Sequence, residues 1–249
     1  MSTTASRASL IAGRLLRVPN AHRPAPSLFT YPGLTSRPWH ERSNSAWFGD
    51  WLPALEAATP AITAEYLQMR ASGRPSDYKV EESDHAGGLH SAPDEWHWAN
   101  FIDRGRVQPD MWEQCPNTAA ALEAVPRLCV GAMPFAFAFF STLQPRSRIA
   151  AHTAPANLRL RVHLPLVVPE HSTAADCGMR VAGETRPWEV GRALIFDDAF
   201  EHEVWNESDG ERAVLLFDLW HPDLGTDEIA AIQSMFREVQ RMSDARAQQ

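Results

Sequence analysis

Two periodicities of apolar residues divide the chain into two parts. Between Phe48 and Gly73 the apolar residues recur at helical spacing, and Pro60 interrupts them, which predicts two helices. From Val130 onward the chain consists of short apolar runs separated by turns. The segment Leu158–Leu166 alternates well, with Arg159, Arg161 and His163 between apolar residues, which predicts a strand with one buried face and one polar face.

Six short strands are predicted in the second part, with Gly and Pro in the turns between them. They are Phe135–Leu143, Leu158–Val168, Gly178–Ala182, Arg192–Phe196, Glu203–Asn206 and Ala213–Trp220. Strands of this number and length are typical of a sandwich or jelly roll. A helix over Thr118–Ala124, capped by Asn117, and an amphipathic helix over Thr226–Met242 complete the prediction. The pattern therefore predicts a mainly β fold, supported by N-terminal helices and closed by a C-terminal helix.

Composition limits the partners that the chain can have. The net charge is −8, which argues against general binding to nucleic acid, because phosphates must be neutralised by Lys and Arg. No apolar run reaches the roughly 18 residues needed to cross a bilayer, so no membrane partner is expected. The three cysteines form no CxxC pair, which predicts free thiols in a reducing compartment and a cytoplasmic location.

The first 27 residues differ from the rest of the chain. No Asp or Glu occurs from Met1 to Arg37, whereas Ser, Ala and Arg are frequent. Such a segment is typical of a disordered leader or, alternatively, of an organellar transit peptide. The remaining residues, 28–249, have a length at which all-β proteins often form one domain. We therefore predict a leader over 1–27 and a single domain after it, with its β core at about residues 130–224.

Three side chains of the β-rich part have the chemistry and spacing expected of a metal-binding site next to a site that binds the carboxylate of a ligand. His152 follows a strand, His202 lies 50 residues later at the start of another, and Arg212 lies 10 residues further on. In a jelly roll two histidines at strand ends can meet at one metal. Imidazole with oxygen donors and open positions suits Fe(II), and a guanidinium suits a carboxylate. Spacing alone leaves open that each of the three is an ordinary polar residue.

Three segments carry a resemblance to a known family. They are STLQPRSRIAAHTAPANLRLRVHLPLVVP, WEVGRALIFDDAFEHEVWN and RAVLLFDLWHPDL, and weaker similarity extends through TYPGLTSRPWH, WANFIDRGR and CPNTAAALEAVP. In these segments the chain resembles the aspartyl/asparaginyl β-hydroxylases, which are iron(II)/2-oxoglutarate-dependent dioxygenases. The resemblance covers most of the chain beyond residue 27. It implies a double-stranded β-helix, also called a jelly roll or cupin-like fold.

The resemblance also implies a role for each matching residue. His152 and His202 match the two iron-binding histidines. Arg212 matches the arginine that pairs with the distal carboxylate of 2-oxoglutarate, and Ser141 and His163 match further contacts of this co-substrate.

Two more arginines are implied to bind the substrate. Arg161 matches an arginine beside the acidic group of the substrate, and Arg106 matches a loop that reaches the substrate. Because Arg159, Arg161 and His163 share one face of the predicted strand, we expect an electropositive pocket for two carboxylates.

The chain departs from the pattern of related oxygenases at two positions. Ala154 stands where most 2-oxoglutarate oxygenases have a carboxylate ligand. Either water completes the metal shell, or Asp197 or Asp198 replaces the missing carboxylate. We favour water, and expect the two aspartates to organise the turn before His202 or to orient a ring nitrogen. Phe139 stands where some relatives have a lysine that contacts the substrate.

Other conspicuous side chains are given structural roles. Trp188 is expected to pack in the core, and His221 to be structural, because Trp220 and Pro222 flank it. His85, His90 and His97 are expected in a loop that covers the mouth of the site or simply lies in solvent.

The resemblance implies an enzyme that uses Fe(II), 2-oxoglutarate and O2 to hydroxylate an unactivated carbon. Its substrate would be a small molecule or peptide with an acidic group, either an aspartyl/asparaginyl residue or a small carboxylated amino acid or metabolite. The alternative is a non-catalytic domain that binds 2-oxoglutarate or metal as a sensor or scaffold, which Ala154 alone favours.

Overall fold

The computed structural model of the protein describes residues 30–78 and 95–247. The predicted leader over 1–27 and the loop histidines His85 and His90 lie outside these residues. The described chain forms eleven strands and six helices. In chain order they are β1 (Trp39–His40), α1 (Ser45–Phe48), α2 (Leu52–Ala57), α3 (Thr59–Ala71), β2 (Trp96–Asp103), β3 (Arg106–Val107), α4 (Pro109–Gln114), α5 (Pro116–Glu123), β4 (Ala138–Leu143), β5 (Ser147–His152), β6 (Arg159–Val167), β7 (Cys177–Val181), β8 (Glu184–Pro187), β9 (Leu194–Phe196), β10 (His202–Asn206), β11 (Arg212–Trp220) and α6 (Thr226–Ala247).

The strands form two sheets, and the chain passes repeatedly from one to the other. The larger sheet has the order β1-β9-β6-β11-β4-β2-β3 and the smaller sheet the order β5-β10-β7-β8. All neighbouring strands are antiparallel. Between β4 and β11 every connection except that from β7 to β8 leads to the opposite sheet. This winding is a double-stranded β-helix, and the predicted fold class is confirmed.

Alternation along the strands of the larger sheet separates two environments. On β6 the side chains of Leu160, Val162 and Leu164 belong to one hydrophobic cluster with Ile62 and Tyr66 of α3. Helices therefore cover this outer face of the larger sheet, as an apolar sheet face requires. The polar side chains of β6 have the opposite orientation and face the interior between the two sheets.

Several strands were not predicted from the periodicity. β2 pairs with β4 inside the larger sheet, although the first part of the chain was expected to contain helices and loops alone. Its two faces are both largely buried, so its apolar residues do not alternate cleanly. β5 and β8 form the edges of the smaller sheet, where many side chains are exposed and Ile149 is the one large aliphatic residue of the two strands.

The predicted cap of the short helix is wrong. α5 begins at Pro116, so Asn117 lies inside the helix rather than before it. The backbone N–H groups of Asn117 and Thr118 donate to the carboxylate of Glu65 on α3, at 2.7 and 2.8 Å. Proline suits the first helical position because its missing N–H would lack an intrahelical partner there. The cap comes from another helix, which local sequence cannot reveal.

The prediction of free thiols is met in the described part of the chain. Cys115, Cys129 and Cys177 are buried free thiols. No described helix combines the length and the apolar character that a bilayer-crossing segment needs.

Candidate active site

Two neighbouring strands of the smaller sheet bring His152 and His202 together. His152 ends β5, His202 begins β10, and the two residues are partners in the register of these strands. Their ring centroids lie 4.1 Å apart. Nδ1 of each ring lies within hydrogen-bond distance of a backbone carbonyl, that of Ala150 at 2.7 Å and that of Phe200 at 2.9 Å. Because a carbonyl only accepts, Nδ1 carries the hydrogen and Nε2 keeps its lone pair, which is the form of imidazole that binds a metal.

The protonation state of both rings favours the same role. Burial lowers the pKa of His152. Burial, followed by the neighbouring His152, lowers the pKa of His202 to about 3. Both imidazoles are therefore neutral at physiological pH, and a metal does not have to displace a proton from them.

A third protein ligand is not found beside the two rings in the described residues. No group of three or more His, Cys, Asp or Glu side chains among them could hold a metal ion. Ala154 is buried, and its N–H donates to the backbone carbonyl of Asp198 at 2.8 Å. The Asp198 carboxylate accepts from Arg159 at 2.7 Å, and Asp197 accepts from the backbone of Ala199 at 3.0 Å. The alternative of an aspartate ligand therefore gains no support, and Asp197 organises the turn before β10.

Arg212, the first residue of β11, is the largest fully buried side chain, with 1% of its surface exposed. Its Nη1 donates to the backbone carbonyl of Ser141 at 3.1 Å and lies 3.4 Å from the Ser141 Oγ. The guanidinium carbon lies 4.6 Å from the ring centroid of Trp188. No acidic side chain of the described residues forms an ion pair with it.

Arg212 stays positively charged although its burial makes the charge unfavourable. Burial lowers its pKa to about 10, so the guanidinium is still protonated at neutral pH. A buried cation without a counter-charge is strongly unfavourable unless an anion reaches it. The side chain is therefore suited to bind the carboxylate of a ligand.

The hydroxyl of Ser141 is oriented by two donors. Its Oγ accepts from the Trp96 indole N–H at 2.8 Å and receives the longer contact from Arg212 at 3.4 Å. A hydroxyl has two lone pairs and one hydrogen, so these contacts leave the O–H free to donate to a third group. Beside Arg212, such a donor adds to a carboxylate-binding site.

His163 is a buried imidazole whose two nitrogens have no hydrogen-bond partner among the described residues. Its ring lies 6.3 Å from the ring of Trp188 and nearly parallel to it, with 22° between the planes. Burial first, and the charge of Arg212 second, lower its pKa well below the usual value. It is therefore neutral, and it can offer one donor and one acceptor to a bound ligand.

The expected electropositive pocket is not what the structure contains. Arg161 makes two bonds to the carboxylate of Asp218, at 2.9 and 3.1 Å. Arg159 pairs with Asp198 at 2.7 Å and with Asp218 at 3.1 Å. Burial alone would raise the pKa of Asp198, but the two guanidiniums outweigh it and keep that pKa low.

These four side chains form a neutral group, which we call the charge quartet: Arg159, Arg161, Asp198 and Asp218. Asp218 is the strand partner of Arg161 in the pairing of β11 with β6, and Asp198 comes from the turn before β10. The expectation of an electropositive pocket failed because these acidic partners lie far away in the sequence. Arg161 is the most exposed member, with 13% of its side chain accessible.

Three other residues considered in the sequence do not belong to this group. Arg106 is exposed on β3, at the outer edge of the larger sheet and four strands from β6. His97 was expected in a loop, but it lies on β2 and pairs with Thr142 of β4. Its Nε2 lies 3.1 Å from the backbone carbonyl of Arg74. His221 is buried, and its Nε2 bonds to the backbone carbonyl of Thr35, in agreement with a structural role.

Sequence reasoning missed three aromatic residues of the site. Trp188 was expected only to pack, yet its ring lies against Arg212. Trp96 donates to Ser141, and Phe196 lies against both His202 and His163, at centroid distances of 5.7 and 5.1 Å. The only available signal was the spacing of Trp96 and Trp98 two residues apart, which is strand periodicity.

Comparison with known proteins gives the family. The family model described as Aspartyl/Asparaginyl beta-hydroxylase matches residues 56–222. The chain belongs to this family. The resemblance seen in the sequence is thereby confirmed.

The relatives that this chain resembles in sequence include the following three proteins. The Aspartyl/asparaginyl beta-hydroxylase of Mus musculus is 32% identical over 207 residues, which are 80% of this chain and 25% of that protein. The human Aspartate beta-hydroxylase domain-containing protein 2 is 36% identical over 219 residues, 85% of this chain and 54% of that protein. The Ornithine lipid ester-linked acyl 2-hydroxylase of Rhizobium tropici is 34% identical over 176 residues, 69% of this chain and 58% of that protein.

The chain thus spans between a quarter and about three fifths of the length of these relatives. Among solved structures, a Pseudomonas putida prolyl-4-hydroxylase is similar with 20% identity and a TM-score of 0.43, over 69% of this chain and 89% of that one.

The stability of this protein, measured in the absence of added metal, is expected to fall as the pH drops from 7.5 to 5.5. The pKa values of His152, His202 and His163 are lowered by folding, and burial also lowers that of His40 to about 4. Below pH 6.5 the unfolded chain therefore binds protons that the folded chain does not. Each such histidine removes up to about 1.4 kcal/mol over this interval. Urea unfolding of the metal-free protein at both pH values measures the loss, and equal unfolding free energies would contradict it.

Proposed function

We propose that the protein is a hydroxylase that uses Fe(II), 2-oxoglutarate and O2. The supporting observation is that a pair of neutral histidines and a buried, uncompensated arginine share one barrel interior. Ring contacts connect the two, from His202 through Phe196 and His163 to Trp188, which lies against Arg212. A metal with open positions beside a carboxylate-binding cation is what a chelating oxo-diacid requires.

The residues fit this co-substrate at both of its ends. His152 and His202 would hold the metal through their Nε2 lone pairs. Arg212 and the free O–H of Ser141 would bind the distal carboxylate, and the orphaned nitrogens of His163 would be satisfied by the same ligand. Bound together, the metal and 2-oxoglutarate activate O2 for insertion of one oxygen atom into a C–H bond.

The protein itself supplies orientation and a dry interior. The backbone carbonyls at Ala150 and Phe200 fix the tautomer and the direction of the two metal-binding rings. Phe196 and Trp188 are buried and exclude water from the space beside these rings and Arg212. A water-poor site strengthens the ion pair that Arg212 forms with a carboxylate.

For the substrate we propose an aspartyl/asparaginyl residue or a small carboxylated amino acid or metabolite. The names of the relatives support hydroxylation of an amino acid residue in one case and of a lipid acyl chain in another. Arg161 is the member of the charge quartet that the substrate can reach, and its Nη1 makes the loosest contact in the quartet, 3.5 Å from Asp198. We therefore assign Arg161, rather than the distant Arg106, to the acidic or amide group of the substrate.

A second candidate is a non-catalytic domain that binds 2-oxoglutarate or metal. The observation that favours it is the two-histidine set, which leaves the metal with fewer protein ligands than the usual three. Binding of 2-oxoglutarate without succinate formation would be its signature.

The test measures succinate formation from 2-oxoglutarate with Fe(II) and O2 across free amino acids and Asp-containing peptides, together with calorimetric binding of 2-oxoglutarate. We expect Arg212→Met to weaken 2-oxoglutarate binding by about a hundredfold, because it removes a buried charge-assisted pair. Arg70→Met is the matched control, since Arg70 pairs with Glu211 outside the barrel interior. Wild-type protein that binds no 2-oxoglutarate would overturn the proposal, as would an Arg212→Met variant with unchanged affinity.

A further inference from the structure

Trp188 is held in place by the backbone around it. It directly follows β8, where the chain leaves the smaller sheet for the larger one. The turn after it contains Gly191, whose φ of +74° favours glycine. The N–H of Gly191 donates to the carbonyl of Pro165 on β6 at 2.9 Å, so the turn is fastened to the strand that carries His163. The indole is 3% exposed.

The position of Trp188 matters because Arg212 has so few other contacts. Among the described residues, the hydrogen-bond and ring contacts of Arg212 are those with the two oxygens of Ser141 and with the ring of Trp188, whose centroid lies 4.6 Å from the guanidinium carbon. Attraction between a cation and an aromatic face grows as both are removed from water, and both residues are buried. The ring therefore fixes where the positive charge lies before any ligand arrives.

Unsatisfied polar atoms collect at the same place. Arg212 Nε, Trp188 Nε1 and both ring nitrogens of His163 are buried, and the described residues offer them no hydrogen-bond partner. Buried polar atoms nearly always have partners in a folded protein. Four such atoms on three adjacent side chains indicate a polar ligand that completes them.

We infer that Trp188 is a positioning residue for the distal carboxylate of 2-oxoglutarate. Its ring face holds the guanidinium of Arg212, and its indole N–H donates a further hydrogen bond to the same ligand. The inference rests on the proposed function, because it assigns the ligand of this cluster to the proposed co-substrate.

The experiment titrates 2-oxoglutarate calorimetrically into Mn(II)-loaded protein, in which turnover does not interfere. We expect Trp188→Leu to weaken 2-oxoglutarate binding by about thirtyfold, because it removes both the ring and the N–H. Trp188→Phe keeps a ring face and loses the N–H, so a loss of about fivefold is expected. Affinity for Mn(II) should stay within about twofold of wild type in both, because neither metal-binding histidine is altered. Trp51→Leu is the control for loss of a buried indole, since Trp51 packs against Phe217 on the outer face of the sheet.

A double-variant cycle separates positioning from general damage. If Trp188 acts through Arg212, Trp188→Leu should weaken 2-oxoglutarate binding much less in the Arg212→Met variant than in the wild-type protein. Full additivity, equal loss of Mn(II) and 2-oxoglutarate affinity, or wild-type affinity in Trp188→Leu would each overturn the inference. Wild-type affinity for 2-oxoglutarate in Trp188→Phe would contradict the inferred hydrogen bond from the indole N–H to the ligand. Absence of 2-oxoglutarate binding by the wild-type protein would instead overturn the proposed function itself.

Discussion

The double variant His152→Ala/His202→Ala is expected to lose stoichiometric Fe(II) and Mn(II) binding and to form no succinate above background. The reason is the small ligand set, because the described residues place no third His, Cys, Asp or Glu side chain beside the two rings. With only two protein ligands, each imidazole carries a large share of the metal affinity. A single His202→Ala change should therefore weaken metal binding by more than about a hundredfold. Loss of a group that only hydrogen-bonds to a metal ligand weakens binding by up to about a hundredfold, and loss of a ligand itself should cost more.

The measurement is calorimetric titration with Mn(II), followed by the succinate assay with Fe(II). His171→Asn is the matched control, because His171 is exposed and its φ of +59° is tolerated by asparagine. This variant should bind metal and turn over like wild type. Full metal stoichiometry in the double variant would place the metal elsewhere and leave the two rings as ordinary hydrogen-bonding groups.

Local sequence predicted those parts of the fold that local physics determines. The alternation in Leu158–Leu166 identified β6 and assigned its polar side chains to one face, because successive strand residues point to opposite sides. The break at Pro60 marked two helices, and α3 has proline in its first turn. The two histidines were predicted to meet because jelly-roll strand ends converge, and their rings lie side by side.

Contacts between distant parts of the chain could not be predicted in the same way. Nothing in the surroundings of Arg161 shows that Asp218, 57 residues later, occupies its guanidinium. Likewise Trp188 becomes a neighbour of Arg212 only through the passage of the chain between the two sheets. The resemblance to the family identified candidate ligands, but the neutral quartet and the indole beside the arginine follow only from the packing.

Asp218→Ala is expected to lower the free energy of unfolding by about 3–5 kcal/mol, the usual cost of breaking a buried ion pair on one side. Asp218 is fully buried. Its carboxylate accepts hydrogen bonds from Arg161 and from the backbone N–H of Phe137, and it forms an ion pair with Arg159 at 3.1 Å. Removing it leaves two guanidiniums to share Asp198. Urea unfolding at pH 7.5 measures the change.

The control is Asp209→Ala, which removes the partner of Arg146 from a pair whose side chains are 91% and 62% exposed. Screening by solvent makes such a pair nearly neutral, so stability should stay unchanged within error. A second variant, Arg159→Met/Asp198→Leu, deletes one charge of each sign and should cost much less than Asp218→Ala, because no buried charge is left without a partner. An Asp218→Ala variant as stable as the control would contradict the buried quartet. In the described barrel the quartet neutralises Arg159 and Arg161, so that Arg212 alone of the inward-facing arginines has no acidic partner. The same result would remove this explanation.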